Sequence, residues 1–177
     1  MVLPIAYLAP ADWYRTYLAH PGEAEIEGLE SFEKQTFRNR CHIGGTRGQE
    51  IRLSVPVKKV EHKQLTRDIE ISYQTRWQHQ HWISLVSTYK NTPFFDYYAE
   101  FFKPWYEKET RFLWDLNSGL HETVMQLLLN SPKHVEGFAY RPTTDWRGGE
   151  LNRFFGNGQS ILDTLFEYGN ETRYKLE

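Results

Sequence analysis

Hydrophobic and polar positions change their spacing near the middle of this chain. In the first half, apolar residues alternate with polar ones, which is the pattern of strands with one buried face. The clearest example is residues 50–57, where Ile51, Leu53 and Val55 alternate with other side chains. From Trp77 onward, apolar residues recur every three or four positions, which predicts amphipathic helices. The chain is therefore predicted to form a sheet in its first half and helices in its second.

Residues 3–27 predict a strand, a helix and a second strand in that order. Residues 3–9 are apolar, and residues 13–18 carry aromatic side chains at helical spacing before a Pro-Gly stop. Residues 25–27 follow as a second short strand. Because neighbouring strands joined through a helix run parallel, this order predicts a right-handed βαβ crossover.

Residues 34–41 predict a further strand, and the glycine-rich turn at residues 44–48 predicts a hairpin with residues 50–57. Residues 69–73 alternate again and predict one more strand. In an extended chain, alternate side chains point to opposite faces. One face of the strand at 34–43 would then carry Lys34, Arg38, Arg40 and His42, and the other would carry Phe37, Asn39, Cys41 and Ile43.

Helical spacing is found in several stretches of the second half. Two of the predicted helices begin at Trp77 and Pro93. Two more cover residues 113–127 and 160–168. Thr92 and Pro93 suit the cap and the first turn of a helix, and Gly169 suits a helix stop. Residues 137–158 are rich in Gly, Arg and Pro and predict a loop.

These elements predict one α/β domain over residues 1–177. Its βαβ start and its hairpin are expected to join in a mixed sheet, with a helical second half. An α+β arrangement, in which the helices are segregated from the sheet, is the alternative.

Composition and charge narrow the classes of function. The chain has 177 residues and a formal charge of −2, from 21 basic and 23 acidic side chains. Nucleic-acid binders usually carry a basic excess, so this balance argues against that class of partner. The single cysteine excludes an internal disulfide framework and a multi-cysteine zinc site. No stretch predicts a membrane span or a secretory leader, and the single cysteine fits a reducing compartment.

The cationic face predicted for residues 34–42 is the first candidate site. Lys34, Arg38, Arg40 and His42 would form a row of donors suited to a carboxylate or a phosphate. The alternative is a solvated strand face whose cations pair across the hairpin, for example with Glu50. The residues alone leave both interpretations open.

Cys41, His81 and Asp163 are the candidates for catalysis. Neighbouring cations would lower the pKa of Cys41, but this residue lies on the apolar side of its predicted strand, where a buried structural thiol is the commoner outcome. His81 opens a helix and would make a polar contact at a cleft edge. Asp163 has apolar neighbours, so it is either an acid–base group or a structural link to an arginine. Because His79 and His81 point in different directions on a helix, no metal site is predicted.

An ordered series of motifs over most of the chain resembles the WbqC-like protein family. The series consists of Tyr7-Leu8-Ala9-Pro10 with Trp13-Tyr14, residues 34–41 (KQTFRNRC), residues 53–57 (LSVPV), His81-Trp82, residues 89–98 (YKNTPFFDYY), residues 113–120 and residues 160–166 (SILDTLF). This resemblance implies a cytoplasmic bacterial protein linked to the synthesis of O-antigen or other surface polysaccharides. Group transfer onto a nucleotide-linked amino sugar would fit that setting.

Two features depart from the family's pattern. Many relatives carry a paired acid after the second strand, where this chain has Gly28-Leu29 between Glu27 and Glu30. The segment between residues 130 and 160 is also shorter. Any role that needs those parts is in question for this chain.

The resemblance and the candidate residues together lead to the hypothesis of a cytosolic transferase that moves an acyl or aminoacyl unit to a nucleotide sugar. Lys34, Arg38, Arg40 and His42 would bind the anionic substrate, Asn39 would orient it, and His81 or Asp163 would act as acid or base. The rival hypothesis is a non-catalytic binding or assembly protein of the same pathway, and a third is hydrolysis through Cys41. The sequence leaves the donor, the acceptor, the cofactor and the oligomeric state open.

Overall fold

A computed structural model of the protein describes residues 2–44, 50–129 and 158–176. The strands are β1 (Val2–Pro4), β2 (Glu25–Glu27), β3 (Arg40–Ile43) and β4 (Ile51–Ser54). The α-helices are α1 (Ala11–Leu18), α2 (Trp77–Tyr89), α3 (Phe95–Glu107), α4 (Leu113–Leu129), α5 (Ile161–Tyr168) and α6 (Thr172–Leu176). Short 3₁₀ helices cover Thr66–Asp68 and Gly169–Glu171. Within the described residues this is an α/β protein, as predicted.

The βαβ start is confirmed, although its first strand is shorter than predicted. Strands β1 and β2 pair in parallel, with Leu3 opposite Ile26, and α1 connects them. Strand β1 ends at Pro4, which has no N–H to continue a ladder. Residues 5–9 remain buried, but the backbone N–H of Tyr7 donates to the carbonyl of Phe37 at 2.8 Å instead of to a strand. The first strand thus leads directly into the centre of the molecule.

The hairpin is also confirmed, and it forms a sheet of its own. Strands β3 and β4 are antiparallel, and within the described residues they are separate from the β1–β2 pair. The predicted mixed sheet is therefore replaced by two small sheets. Residues 69–73 contribute isolated bridges, Val57 to Ile71 and Glu70 to Phe112, in place of the predicted strand.

The prediction of a strand over residues 34–41 is wrong for its first six positions. Strand β3 begins only at Arg40. Before it, the N–H of Asn39 donates to the carbonyl of Thr36 at 3.2 Å, and the side-chain oxygen of Asn39 accepts from the N–H of Gln35 at 3.2 Å. Gln35 has a φ of 65°. These local bonds fold the segment into turns, since Asn side chains compete well for nearby backbone groups.

The four helices predicted for the second half are present, one of them with a later start, and α6 (Thr172–Leu176) follows the helix that was predicted to be the last. Thr92 was expected to cap the second long helix, but its hydroxyl donates to the carbonyl of Tyr89 at 2.6 Å and so closes the end of α2. Helix α3 begins later, at Phe95. Gly169 ends α5 with a φ of 60°, as predicted. The predicted loop at 137–158 lies outside the described residues except for its last position.

Ser160 connects three distant parts of the chain. Its N–H donates to the carbonyl of His42 in β3 at 2.8 Å, and its hydroxyl donates to the carbonyl of Leu8 at 3.0 Å. The same hydroxyl oxygen accepts from the N–H of Leu162 and caps α5. Helix α5 is thereby held against the N-terminal segment and the hairpin. Over the described residues, none of the helices combines the length and hydrophobicity that crossing a membrane requires.

Candidate functional site

A hydrogen-bonded network of buried hydroxyl and imidazole groups lies in the core. The hydroxyl of Tyr7 lies 2.9 Å from Nδ1 of His81 and 2.9 Å from the hydroxyl of Tyr106. Tyr7 comes from the segment after β1, His81 from α2 and Tyr106 from α3, so this hydrogen-bonded network joins three parts of the fold. Burial raises the pKa of Tyr7 and, to a smaller extent, so does Tyr106. Both phenols therefore stay protonated and act as hydrogen-bond donors.

His81 is held as a neutral imidazole. Burial lowers the pKa of His81 to about 4, and a hydrogen bond to the backbone of Ser54 acts in the opposite direction. Because the Ser54 contact favours the protonated ring, the backbone group accepts a ring N–H. Nδ1, which faces Tyr7, then carries the lone pair and accepts the hydroxyl proton of Tyr7. The imidazole is thus oriented at both nitrogens.

Asp163 forms a second buried polar group beside this hydrogen-bonded network. Its Oδ1 accepts from the N–H of Gly44 at 2.9 Å and from the hydroxyl of Tyr89 at 2.9 Å. Its Oδ2 is buried without a hydrogen-bond partner among the described residues. Burial raises the pKa of Asp163, and the bonds from Gly44 and Tyr89 oppose that rise. The predicted alternative, a structural link to an arginine, is not what the described residues show, because the partners of Asp163 are a tyrosine and a backbone amide.

Cys41 interacts electrostatically with Asp163 and with the tyrosines of both polar groups. It is buried in β3, opposite Leu53. Burial raises the pKa of the Cys41 thiol, and Asp163 adds to the rise. Cys41 in turn contributes to the raised pKa of Tyr7, Tyr89 and Tyr106. We refer to Tyr7, Cys41, His81, Tyr89, Tyr106 and Asp163 together as the acid–base cluster.

The structure places Arg38 away from any open cationic row. Its side chain is fully buried, and its Nε and Nη2 donate to the two carboxylate oxygens of Glu30 at 2.6 Å each. Nη1 donates to the hydroxyl of Thr36 at 3.2 Å. The carbonyl of Arg38 accepts from the side chain of Asn117 in α4 at 2.8 Å. Arg38 therefore has the contacts of a structural ion pair.

Lys34 and Asn39 also do not contribute to a common binding face with Arg40. Lys34 is exposed in the turn before β3. The amide nitrogen of Asn39 donates to the carbonyl of Val55 at 3.0 Å, and the N–H of Val55 donates to the carbonyl of Asn39 at 2.8 Å. Asn39 thus ties the turn to the end of β4. The predicted common face of Lys34, Arg38, Arg40 and His42 does not exist, because residues 34–39 are not extended.

Arg40 and His42 do share a face, since both belong to β3. Arg40 lies opposite Ser54 and His42 lies opposite Arg52 in β4. Nε of Arg40 donates to the hydroxyl of Ser54 at 3.1 Å. Nδ1 of His42 pairs with Glu50, the partner that the alternative interpretation of the sequence named. Sequence reasoning therefore identified half of this face and missed Arg52 and Ser54.

Other members of the site were also missed. Tyr7 lies in a predicted strand and Tyr106 follows the predicted helix that begins at Pro93, and nothing in their spacing distinguishes the two hydroxyls from neighbouring rings. Glu30 was noted only as a neighbour of a departure from the family pattern. Its pairing with Arg38 depends on the turns between them, which no periodicity reveals.

A metal site receives no support from the described residues. No group of three or more His, Cys, Asp or Glu side chains within residues 2–44, 50–129 and 158–176 is arranged to hold an ion. The acid–base cluster combines one imidazole, one carboxyl, one thiol and three phenols, which is a set suited to proton transfer.

The fold and the cluster define an α/β protein with a buried set of proton-transfer groups. A model of the WbqC-like protein family matches residues 28–137, which is more than half of the chain. The chain belongs to the WbqC-like protein family. The matched region includes Cys41, His81, Tyr89 and Tyr106, whereas Tyr7 and Asp163 lie outside it. No curated protein and no solved structure matches the chain.

Proposed function

We propose that this protein is a cytoplasmic transferase of bacterial surface-polysaccharide synthesis that moves an acyl or aminoacyl unit onto a nucleotide-linked amino sugar. The observation that carries the proposal is the acid–base cluster, because buried groups with shifted pKa values that face one another are typical of catalytic sites. Membership of the WbqC-like family supports the pathway.

His81 is the proposed base. It is neutral near neutral pH and its Nδ1 is oriented by Tyr7. An acceptor amine that entered beside Tyr7 would attack the donor's carbonyl carbon, so that an N–C bond forms and the bond to the donor's leaving group breaks. The amine proton would pass to the oxygen of Tyr7 while the hydroxyl proton of Tyr7 passes to Nδ1. A pKa of about 4 makes a weak base. A bound anion nearby would raise the pKa of His81 toward the working pH, which links activity to an anionic substrate.

Asp163 is the proposed acid. Its raised pKa favours the protonated form, and Oδ2 is the oxygen that would hold the proton, since Oδ1 accepts two hydrogen bonds. That proton would pass to the leaving group. His81 and Asp163 keep 5% and 7% of their surface exposed, against 0% for Tyr7 and 1% for Cys41. The deeper burial of Cys41 and the raised pKa of its thiol favour His81 and Asp163 over Cys41 as catalytic residues.

The proposal is tested first by a thermal-shift screen against nucleotides, nucleotide sugars and acyl donors. A ligand that binds only the folded protein raises its melting temperature. Compounds that raise it are then combined in a transfer assay with wild-type protein, His81→Gln and Cys41→Ser. We expect His81→Gln to lose at least about a hundredfold in rate, the usual contribution of general base catalysis, and Cys41→Ser to keep its activity. Full activity of His81→Gln would refute the assignment.

A non-catalytic assembly role is the second candidate, and an exposed aromatic patch favours it. Tyr97 and Phe101, one turn apart on α3, are 73% and 50% exposed. Exposed aromatic residues often mark partner contacts. If the screen gave no shift with any small molecule, but a protein of the same pathway stabilised the chain and did so only while Tyr97 and Phe101 were intact, this role would replace the transferase.

A further inference from the structure

The β3–β4 hairpin has one buried face and one polar face. Cys41 and Ile43 of β3 and Leu53 of β4 point into the core. Since side chains alternate along a strand, the other positions point outward. We refer to these positions, Arg40, His42, Arg52 and Ser54, as the outer face of the hairpin. The face carries two guanidinium groups, one imidazole and one hydroxyl.

The two arginines of the outer face are close in space, and no acidic partner is found for either among the described residues. Arg40 is opposite Ser54 and Arg52 is opposite His42, so the arginines are diagonal neighbours, a geometry with backbone separations of about 7–8 Å. Partial burial lowers the pKa of Arg40, and the positive charge of Arg52 adds to this effect. Within the described residues, neither arginine forms a salt bridge. In the part of the chain that the structure describes, Glu50 beside His42 is the one carboxylate that contacts the face.

Two adjacent positive charges destabilise each other until an anion lies between them. Guanidinium groups bind phosphate oxygens with two parallel hydrogen bonds, and long side chains on diagonal positions can converge on one ligand. The hydroxyl oxygen of Ser54 already accepts from Nε of Arg40. Its own proton therefore remains available to donate to a phosphate oxygen.

We infer that the outer face of the hairpin is a phosphate-binding site in which Arg40 and Arg52 bridge a diphosphate and Ser54 donates to it. The inference deepens the proposed function, on which it rests for the identity of the ligand as a nucleotide sugar. It replaces the row of Lys34, Arg38, Arg40 and His42 expected from the sequence by a pair of arginines from two strands. His42, oriented by Glu50, forms the edge of the site.

Ser54 also connects this site to the proposed base. Its side chain belongs to the outer face, while its backbone accepts a hydrogen bond from His81. A diphosphate on the outer face would therefore be separated from the imidazole by a single residue of β4. The negative charge of the ligand would act on His81 across that short path, in the direction that makes the imidazole a stronger base.

Binding of inorganic pyrophosphate and of uridine diphosphate, measured by titration calorimetry, tests the inference. We expect Arg52→Gln to weaken both ligands by about tenfold or more, because it removes a charge-assisted contact. Arg40→Lys keeps the charge but loses the paired geometry and should weaken binding by less than Arg52→Gln. Arg52 is exposed, so the variant is expected to fold, and its melting temperature without ligand should equal or exceed that of the wild type.

Arg173→Gln is the matched control. Arg173 lines a separate cleft of about 350 Å³ together with Arg15, and the substitution removes the same charge. Wild-type affinity in Arg173→Gln with weak binding in Arg52→Gln supports the outer face. Unchanged binding in Arg52→Gln, or equal loss in both variants, overturns it. Inorganic phosphate is the third ligand: binding as tight as that of pyrophosphate would also overturn the diphosphate assignment.

The outcomes separate this inference from the proposed function. If pyrophosphate bound only while Arg52 was intact and no transfer activity was found, the phosphate-binding site would stand and the transferase proposal would be wrong. If transfer activity required His81 but was unchanged in Arg52→Gln at low substrate concentration, the transferase proposal would stand and the phosphate-binding site would be wrong.

Discussion

Arg38 is a buried charge whose neutralisation depends on Glu30. Both partners lie out of solvent and share two hydrogen bonds of 2.6 Å. Removing one partner leaves the other charge buried and unpaired, so Arg38→Ala is expected to lower the free energy of unfolding by about 3–5 kcal/mol. Urea denaturation followed by tryptophan fluorescence measures this loss.

The control for Arg38 is Arg67, whose partner Asp68 is half exposed like itself. Arg67→Ala should change stability by less than about 1 kcal/mol, as exposed ion pairs do. Replacing the buried pair jointly, as Arg38→Met with Glu30→Leu, should recover much of the loss. If Arg38→Ala were no more harmful than Arg67→Ala, the pair would not be buried as described.

His81 makes stability depend on pH. Its pKa is about 4 in the folded protein and 6.5 as an unperturbed group. Between these values the unfolded chain binds more protons than the folded one, so the free energy of unfolding increases with pH. The contribution of His81 is therefore complete above about pH 6.5 and is lost as the pH falls toward 4. Its full size is on the order of 3 kcal/mol.

Comparison with His81→Gln isolates this effect. Asp163 acts in the opposite direction, because its raised pKa favours the folded state as the pH falls, and His121, whose pKa burial lowers to about 3, acts in the same direction as His81. Both groups remain in the variant. Urea melts at several pH values should give a shallower dependence in His81→Gln between pH 4 and 6.5. Identical slopes would mean that His81 titrates normally.

The thiol of Cys41 should be unreactive in the native protein. It is buried, and burial and Asp163 both raise its pKa, so the thiolate is scarce. Alkylation by iodoacetamide should be at least about a hundredfold slower than in urea, as judged by mass spectrometry. Rapid native alkylation accompanied by loss of function would instead revive hydrolysis through Cys41.

At the scale of elements, α3 and α4 meet at a glycine. A Cβ built on Gly119 would come within 1.8 Å of the ring of Trp105. Helix propensity alone would make Gly119→Ala stabilising by about 1 kcal/mol. Overpacking against a large ring outweighs that gain, so we expect a net loss of about 1–3 kcal/mol. Thermal unfolding followed by circular dichroism measures it.

Two further variants test this explanation. Gln126 is exposed on the same helix, and Gln126→Ala should leave the melting temperature nearly unchanged. Trp105→Leu shortens the obstructing side chain, so Gly119→Ala should be less harmful in that background than in the wild type. Additive effects of the two substitutions would show that the ring is not the cause.

For the whole molecule, the contacts of Ser160 predict cooperative unfolding. This residue joins the segment around Leu8, strand β3 and helix α5, which are far apart in sequence. Residues 1–177 should therefore unfold as one domain, with coincident transitions in tryptophan fluorescence and far-ultraviolet circular dichroism. Ser160→Ala should shift both transitions together by about 1–2 kcal/mol, since it removes a helix cap and a buried hydrogen bond. Separate transitions would contradict a single domain.

Local patterns determined the elements of this protein. The alternation in β4, the aromatic spacing of α2 and α3, and the serine and glycine at the two ends of α5 each act between residues close in sequence. For that reason the α/β class, the parallel pair and the hairpin could be predicted. The family was also recognisable, because its motifs are linear.

Only the tertiary structure decided which polar side chains meet. Asn39 turned a predicted strand into turns and thereby moved Arg38 from an open face into a buried pair with Glu30. The contact between Tyr7 and His81 spans 74 positions, and no spacing rule reaches so far. Burial, which sets the pKa values of His81 and Asp163, is likewise a property of the packed molecule. Sequence specifies short-range geometry, whereas long-range contacts and desolvation arise only when the elements pack.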